Sequence, residues 1–474
     1  MGYGVPLSSP KSRAQVPNPS PSPEPESESR VKFALRTFGC RANQADSFEI
    51  EESLRAAGGV PAGVDDADVV VVNTCSVTGA ADRDARNLVR RISARNPAAR
   101  IFVTGCYATR APGAVAGLPG VVRVVANDGK GGIASVALGA AGRRGRPGSA
   151  PSGAGLGAPP GAPTGAPVPA ESGGPGADPT SGLGPGVMGR TAFPLRVQTG
   201  CDEACAFCIV PSTRGRSRSR PVADVLADAA RLAEAGYKEL WVVGVHLGAY
   251  GRDLPSSPSL LDLLRALDRA PADLTFRLSS LEPMDCPAGI VDLVAASGRF
   301  APHFHLPLQH ADDRVLGAMR RPYTFAACRE LVDYIHKALP DAAIGADLVA
   351  GFPGESAAEA DACAAAVAGL PLTHLHVFPY SDRPGTVAAG MTPKVAPPEV
   401  RRRAERLRAI GTALAGRFAQ ENLGAVRKGL TLDDGATVLT DNFLKVSIPP
   451  GLPRNVRVRV RIEAVSPVLA GRPA

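Results

Sequence analysis

The sequence predicts an α/β protein in three parts: an N-terminal parallel-sheet α/β domain, a central partial (β/α)6 barrel and a small C-terminal β-domain. Three observations carry this. Short apolar runs alternate with a helical pattern through residues 31–135, strand-then-helix repeats recur six times through 190–420, and short β-like runs follow from 424 to 470.

The elements run in order as follows. Residues 1–30 are rich in Pro and Ser, lack the apolar stretch of a signal peptide, and read as a disordered tail. In 31–135, "VKFALRTFG", "ADVVVVNTC" and "ARIFVTGC" read as buried strands, with "GAADRDARNLVRRISARNP" as a helix between the last two. Cys40, Cys75 and Cys106 each close one of these runs. In a parallel α/β sheet that is the edge where ligands bind. Residues 136–189, centred on "GAPPGAPTGAPVPAESGGPGADP", are a low-complexity linker with almost nothing to offset ordering entropy.

The second part offers the strands "FPLRVQTG", "ELWVVG", "LTFRLSS", "HFHLPLQ", "AIGADLVAG" and "LHVFPYS". Six βα units in series make an incomplete relative of the (β/α)8 barrel, whose site lies at the carboxyl ends of its strands. Cys201, Cys205 and Cys208 follow the first of them. From Gly424 the chain carries eight Lys/Arg against four Asp/Glu, so the terminal β-domain is basic.

Composition sets bounds. With 474 residues, 44% apolar, the chain has material for two or three cores. Only 5% is aromatic, so those cores rest on Ala, Val and Leu. No apolar run is long enough to span a bilayer, and the reading is cytoplasmic. In a reducing compartment nine cysteines are ligands or reactive thiols rather than a disulfide frame. A net charge of +8 permits a polyanionic partner.

The spacing C-x3-C-x2-C at 201, 205 and 208 supplies three thiolates from one loop. A four-iron cubane takes one ligand per iron, so three cysteines leave one iron open for a substrate's amine and carboxylate. A structural zinc would want a fourth ligand nearby, and the loop holds none. Cys40, Cys75 and Cys106 suit a second three-thiolate site, although free cysteines are commonly just small buried residues. Cys286, Cys328 and Cys363 show no ligand spacing and read as core or surface thiols. Just beyond the triad, "RGRSRSR" sets Arg214, Arg216, Arg218 and Arg220 at period two, a pitch suited to a phosphate backbone; the plainer reading is a solvated charge run.

"CDEACAFC", "TFGCRANQADS", "VVNTCSVT", "VTGCYA", "GVHLGAYG", "RLSSLEP", "HLPLQ", "ADLVAGFPGE" and "HVFPYSDRPGT" together resemble the radical S-adenosylmethionine methylthiotransferases. "CIVPSTRGRSRSR" and "GVHLGAYG" point most directly to the branch acting on N6-threonylcarbamoyladenosine of tRNA. The tail resembles that family's small RNA-binding β-barrel (the TRAM module), with "TDNFLKV" as its best match.

The resemblance implies two [4Fe-4S] clusters and S-adenosylmethionine as cofactors. Cys201, Cys205 and Cys208 would hold the radical cluster, and Cys40, Cys75 and Cys106 an auxiliary cluster carrying the sulfur. One S-adenosylmethionine would methylate that sulfur; another, split reductively, would yield a 5′-deoxyadenosyl radical that takes hydrogen from C2 of the modified adenosine at position 37. Phe207 would pack near the cofactor's adenine, Gly244 would let backbone approach the cofactor, and Ser280, Glu282, Gln309 and Asp347 are candidates for its ribose or carboxylate. His303, His305 and His246 read as core or loop histidines rather than ligands. Where many relatives have Gln-Ser-Gly, this chain has Gln309-His310-Ala311, which changes the contact at 310.

The implied partners are tRNA and an electron donor such as flavodoxin or ferredoxin, with the sulfur donor left open and a monomer expected. Isopentenyladenosine in tRNA and an aspartate of a ribosomal protein are rival substrates; the basic tail favours RNA. A rival from another class is a non-catalytic RNA-binding protein stabilised by metal.

Overall fold

Five strands make the first sheet: β1 (Lys32–Thr37), β2 (Val60–Pro61), β3 (Val69–Thr74), β4 (Arg100–Gly105) and β5 (Val121–Val125). Their order is β2-β1-β3-β4-β5 and every pairing is parallel. The valine run explains the arrangement. Val69 to Val72 are all 0% exposed, which a strand achieves only in the middle of a sheet covered on both faces. Helix α1 (Arg41–Ala56) covers one face through Ile50 and Leu54; α2 (Gly79–Arg95) covers the other through Ala85, Val89 and Ile92. Thr78 starts α2 where the sequence places a helix, its hydroxyl accepting from Ala81 N at 3.2 Å. Short helices α3 (Cys106–Arg110), α4 (Pro112–Ala116) and α5 (Ile133–Gly139) complete this part.

The computed structural model describes residues 30–139, 184–432, 435–466 and 468–474. Most of the expected tail and linker therefore lies outside the described residues.

All six strands expected in the central part form: β6 (Phe193–Arg196), then, beyond a hairpin of β7 (Gln198–Thr199) and β8 (Arg218–Ser219), β9 (Glu239–Val243), β10 (Thr275–Leu278), β11 (His303–Gln309), β12 (Ala343–Ala350) and β13 (His374–Pro379). They run parallel in two groups, β6-β9-β10 and β11-β12-β13, joined by a parallel bridge between Phe276 and Phe300. One expectation needs correction. "FPLRVQTG" is not one strand; after Arg196 the chain turns, and Gln198 and Thr199 pair antiparallel with Ser219 and Arg218. The cysteine loop is thus the tip of a hairpin whose return arm is the arginine run.

The helices of this part are α6 (Val210–Arg214), α7 (Val222–Glu234), α8 (Leu260–Arg269), α9 (Ala288–Ala296), α10 (Asp313–Ala318), α11 (Phe325–Ala338), α12 (Ala357–Ala368) and α13 (Pro397–Glu421). Capping boxes at Ser259/Asp262 and Ser356/Glu359 set the starts of α8 and α12. Leu263, Leu264 and Leu267 of α8 are wholly buried against Leu240, Val242 and Phe276 of the sheet, in the largest core of the molecule. Cys286, Cys328 and Cys363 are buried among these side chains, as core thiols are.

The terminal β-domain is a closed barrel of β14 (Val426–Thr431), β15 (Thr437–Thr440), β16 (Lys445–Ser447), β17 (Arg457–Ala464) and β18 (Ala470–Pro473), packed around Val438, Val446, Val460 and Ile462. It is fastened to the six-strand unit. Arg277 donates to the carbonyls of Asp441 (2.9 Å) and Thr440 (3.1 Å), and Phe443 packs on Trp241, His303 and His374. So "TDNFLKV", the stretch matched to an RNA-binding module, forms the turn that docks the barrel.

Candidate active site

Three glycines, each directly before a cysteine, let the thiol loops close up. Gly39 has φ 88°, and a Cβ there would lie 2.5 Å from Cys75 Sγ. At Gly105 (φ 99°) it would lie 2.5 Å from Thr74 N, and at Gly200 (φ 73°) 2.6 Å from the Arg216 carbonyl carbon. The first two press Cys40 and Cys106 toward Cys75 at the ends of the adjacent strands β1, β3 and β4; the third folds the Cys201 loop onto its return arm.

Electrostatics shows that the thiols gather as two sets. Burial pushes Cys75 up to about 11, with Cys40 and Cys106 adding to the effect. Burial likewise pushes Cys208 up to about 12, with Cys205 and Cys201 as further causes. Thiols so placed stay protonated unless a metal takes the charge, because coordination deprotonates them outright. Donors already aim at the sulfurs. Glu203 N reaches Cys201 Sγ and Val210 N reaches Cys208 Sγ, both at 3.4 Å; Arg321 Nη1 donates to Cys205 Sγ at 2.9 Å; Asn127 Nδ2 stands 3.6 Å from Cys106 Sγ. Three converging thiols with N–H donors to sulfur are a donor set that fits an iron–sulfur cluster at each site.

Between the two sets lies a cavity of about 190 Å³. Val77 and Thr78 of the Cys75 loop form one wall; Phe207, Gln309, Asp347 and Tyr380 are among the residues opposite. A larger cavity of about 840 Å³ lies between the terminal barrel and the amino ends of β9 and β10, at the opposite strand ends from the cysteine loops.

The expected residues divide. Phe207 packs edge-on against Phe352, and with Gln309 and Asp347 lines the cavity. Gln309 sits at the end of β11 with φ 64°, beside the shift in register between β11 and β12. Glu282 is paired with Arg321; burial raises its pKa against that cation. Ser280 is exposed. At Gly244 the close approach is internal, since a Cβ would lie 2.9 Å from Leu247 Cα and 3.1 Å from Gln198 Oε1. His310 points away from the cavity: its Nδ1 accepts from Asp312 N (3.1 Å) and its Nε2 lies 3.4 Å from Glu355.

The arginine run needs correction. Arg214 is buried rather than presented to RNA, its Nη2 bound to Asp46 (2.8 Å) and Asn43 (2.5 Å) of α1. Arg220 pairs with Asp228 at 2.7 Å. Arg216 and Arg218 are exposed, the former with 91% of its side chain open to solvent. The run ends one helix and enters a hairpin, so period two does not hold along it.

Sequence reasoning missed the residues that brace the thiols, and named His246 only as a core or loop histidine. Arg321 bridges Cys205 and Glu282. His246 lies 3.8 Å from Cys201 Sγ and 2.7 Å from Asp285; burial pulls its pKa down, but Asp285 and Cys201 outweigh that and push it up to about 10. Asp46 gathers Lys130 (2.5 Å), Arg196 (2.8 Å) and Arg214, and Asp82 gathers Arg110 (2.6 Å) and Arg383 (2.7 Å). The sequence offers no spacing that joins such distant positions.

A parallel α/β sheet carrying one thiol triad, set against a six-strand partial barrel carrying another, defines a radical S-adenosylmethionine enzyme with a second metal-binding part. Residues 195–366 match the radical SAM superfamily model, and 32–127 match the family described as uncharacterized protein family UPF0004. The threonylcarbamoyladenosine tRNA methylthiotransferase MtaB of Rickettsia prowazekii is 32% identical over 87% of this chain and 90% of its own. The tRNA-2-methylthio-N(6)-dimethylallyladenosine synthase of Anaeromyxobacter dehalogenans is 34% identical over 83% and 82%. In fold, the chain is similar to the radical S-adenosylmethionine methyltransferase TsrM of Kitasatospora setae, with TM-score 0.50, 16% identity, and 76% and 75% coverage. The chain belongs to the radical S-adenosylmethionine methylthiotransferase family and is an enzyme of that class, with S-adenosylmethionine and [4Fe-4S] clusters as its cofactors. No helix among the described residues is long and apolar enough to cross a membrane.

Proposed function

We propose that this enzyme converts N6-threonylcarbamoyladenosine at position 37 of tRNA into its 2-methylthio derivative. The observation that carries the reading is the cavity between the two thiol sets, lined by aromatic side chains and open to a base swung out of its stack. Its substrate class is supported by the alignment with the MtaB relative along nearly all of both chains. The basic terminal barrel, with Arg457, Arg459 and Arg461 on one strand, favours RNA over a basic ribosomal protein.

In this reading Cys201, Cys205 and Cys208 hold the cluster that supplies the radical, and Cys40, Cys75 and Cys106 hold the one that supplies sulfur. Glu282 and Arg321, beside Cys205, provide one anion and one cation for the amine and carboxylate of S-adenosylmethionine. Phe207 and Gln309 border the reacting base, and Arg216 and Arg218 meet the backbone. The working parts are residues 31–135, 190–420 and 424–470, and electrons come from a donor of the flavodoxin or ferredoxin kind.

Mass spectrometry of tRNA nucleosides from a strain lacking the gene tests the substrate. Loss of 2-methylthio-N6-threonylcarbamoyladenosine, with its unthiolated precursor accumulating, is expected. An unchanged level of that nucleoside with loss of the dimethylallyl counterpart would move the enzyme to the other tRNA branch. Cys205→Ala should abolish formation of 5′-deoxyadenosine; normal formation would overturn the assignment of the radical site.

A further inference from the structure

Inside the six-strand unit, three adjacent strands present a column of polar side chains, of which only Asp347 reaches the cavity wall. The segments are "HFH" on β11, "GAD" on β12 and "HLH" on β13. Alternation sends first and third residues of each to the same side. Register pairs His305 with Gly345, Gly345 with His374, and Asp347 with His376. Gly345 makes the room: a Cβ there would lie 2.6 Å from His305 Nδ1 and closer still to His374.

The outer end of the column has the dimensions of a metal site. His305 Nε2 and His376 Nδ1 lie 2.8 and 3.3 Å from one oxygen of Asp347, and all three ligand atoms fall within 4.8 Å of one another. Donors about 2.1 Å from one ion, at angles of about 90–110°, stand roughly 3.0–3.4 Å apart. The two separations from Asp347 match that to within a few tenths of an ångström, and rotation of the exposed His376 ring sets the distance between the two imidazoles. Beneath them the column keeps unsatisfied nitrogen: His374 Nε2 and both ring nitrogens of His303 are buried without a hydrogen-bond partner.

We propose that His305, Asp347 and His376 bind a divalent first-row transition ion, of the zinc or ferrous class, separate from both cysteine sites. Two imidazoles and one carboxylate leave coordination positions free for water or a substrate oxygen. Asp347 also lines the cavity between the thiol sets, so the ion sits at the edge of the reaction space. The site does not depend on which nucleoside is the substrate.

The test counts metal rather than product. Full-length enzyme with both clusters loaded is stripped of loose metal, given micromolar Zn²⁺ without oxygen, gel-filtered and assayed for zinc. Wild type should retain about one zinc per chain, and His376→Ala and Asp347→Asn should bind it at least ten-fold more weakly. His376 has 56% of its side chain exposed, so its replacement spares the fold. His336→Gln, on an exposed face of α11, should match wild type. Absorption at the zinc edge should show nitrogen and oxygen neighbours only. Equal retention by wild type and His376→Ala, or sulfur in the zinc shell, would overturn the proposal.

Discussion

At the scale of the residue, buried charges carry the sharpest consequences. Arg321 has 3% of its side chain exposed and serves both the Cys205 sulfur and Glu282. Arg321→Met leaves a largely buried carboxylate without its cation, which costs about 3 kcal/mol and lowers the midpoint of thermal unfolding. It also removes a cationic N–H donor from the cluster ligand, so the reduction potential of the loaded radical cluster should fall in a redox titration. An unchanged potential would reduce Arg321 to a partner of Glu282.

At the scale of the element, the docking turn of the terminal barrel is the informative case. Phe443, at φ 69°, sits against Trp241, His303 and His374, and its neighbour Asn442 donates to the Asp341 carbonyl at 3.1 Å. Phe443→Ala should cost about 2 kcal/mol and let protease cut near Gly424 sooner, since the half-buried ring anchors an otherwise separate barrel. Unaltered proteolysis would mean that the polar contacts of Arg277 and Asn442 hold the turn without the ring. This turn also shows where sequence reading runs out. The valines of β3, the helix after them and the six central strands were legible because period is a local property. The strand-end cysteines were legible because parallel topology puts those ends together. The return of "RGRSRSR" as a hairpin arm, the burial of Arg214 and the meeting of His305 with His376 depend on contacts across tens or hundreds of residues, which no local pattern encodes.

At the scale of the whole molecule, the enzyme must keep a sulfur site on one sheet in register with a radical site on another. Two charge clusters span that boundary. Asp46 of α1, 2% exposed, binds Arg196 and Arg214 from either side of the radical triad, and Asp82 of α2 binds Arg383 beyond β13. Arg214 also feels Cys106 and Cys40, so the cation that locks the boundary stands next to the sulfur-bearing thiols. Asp46→Asn should leave three cations facing a neutral amide, costing about 3–5 kcal/mol and loosening one sheet against the other. The radical triad itself is untouched, so 5′-deoxyadenosine should still form at close to the wild-type rate. Transfer depends on near-contact geometry, where an error of about 1 Å costs on the order of 100-fold, so methylthiolated product should drop far more. A raised ratio of 5′-deoxyadenosine to product is the expected signature. If both fell together, Asp46 would be serving only the stability of the chain; if neither changed, the alignment of the two sites would rest on the other contacts across the boundary, the Asp82 cluster and the Arg231–Glu52 pair among them.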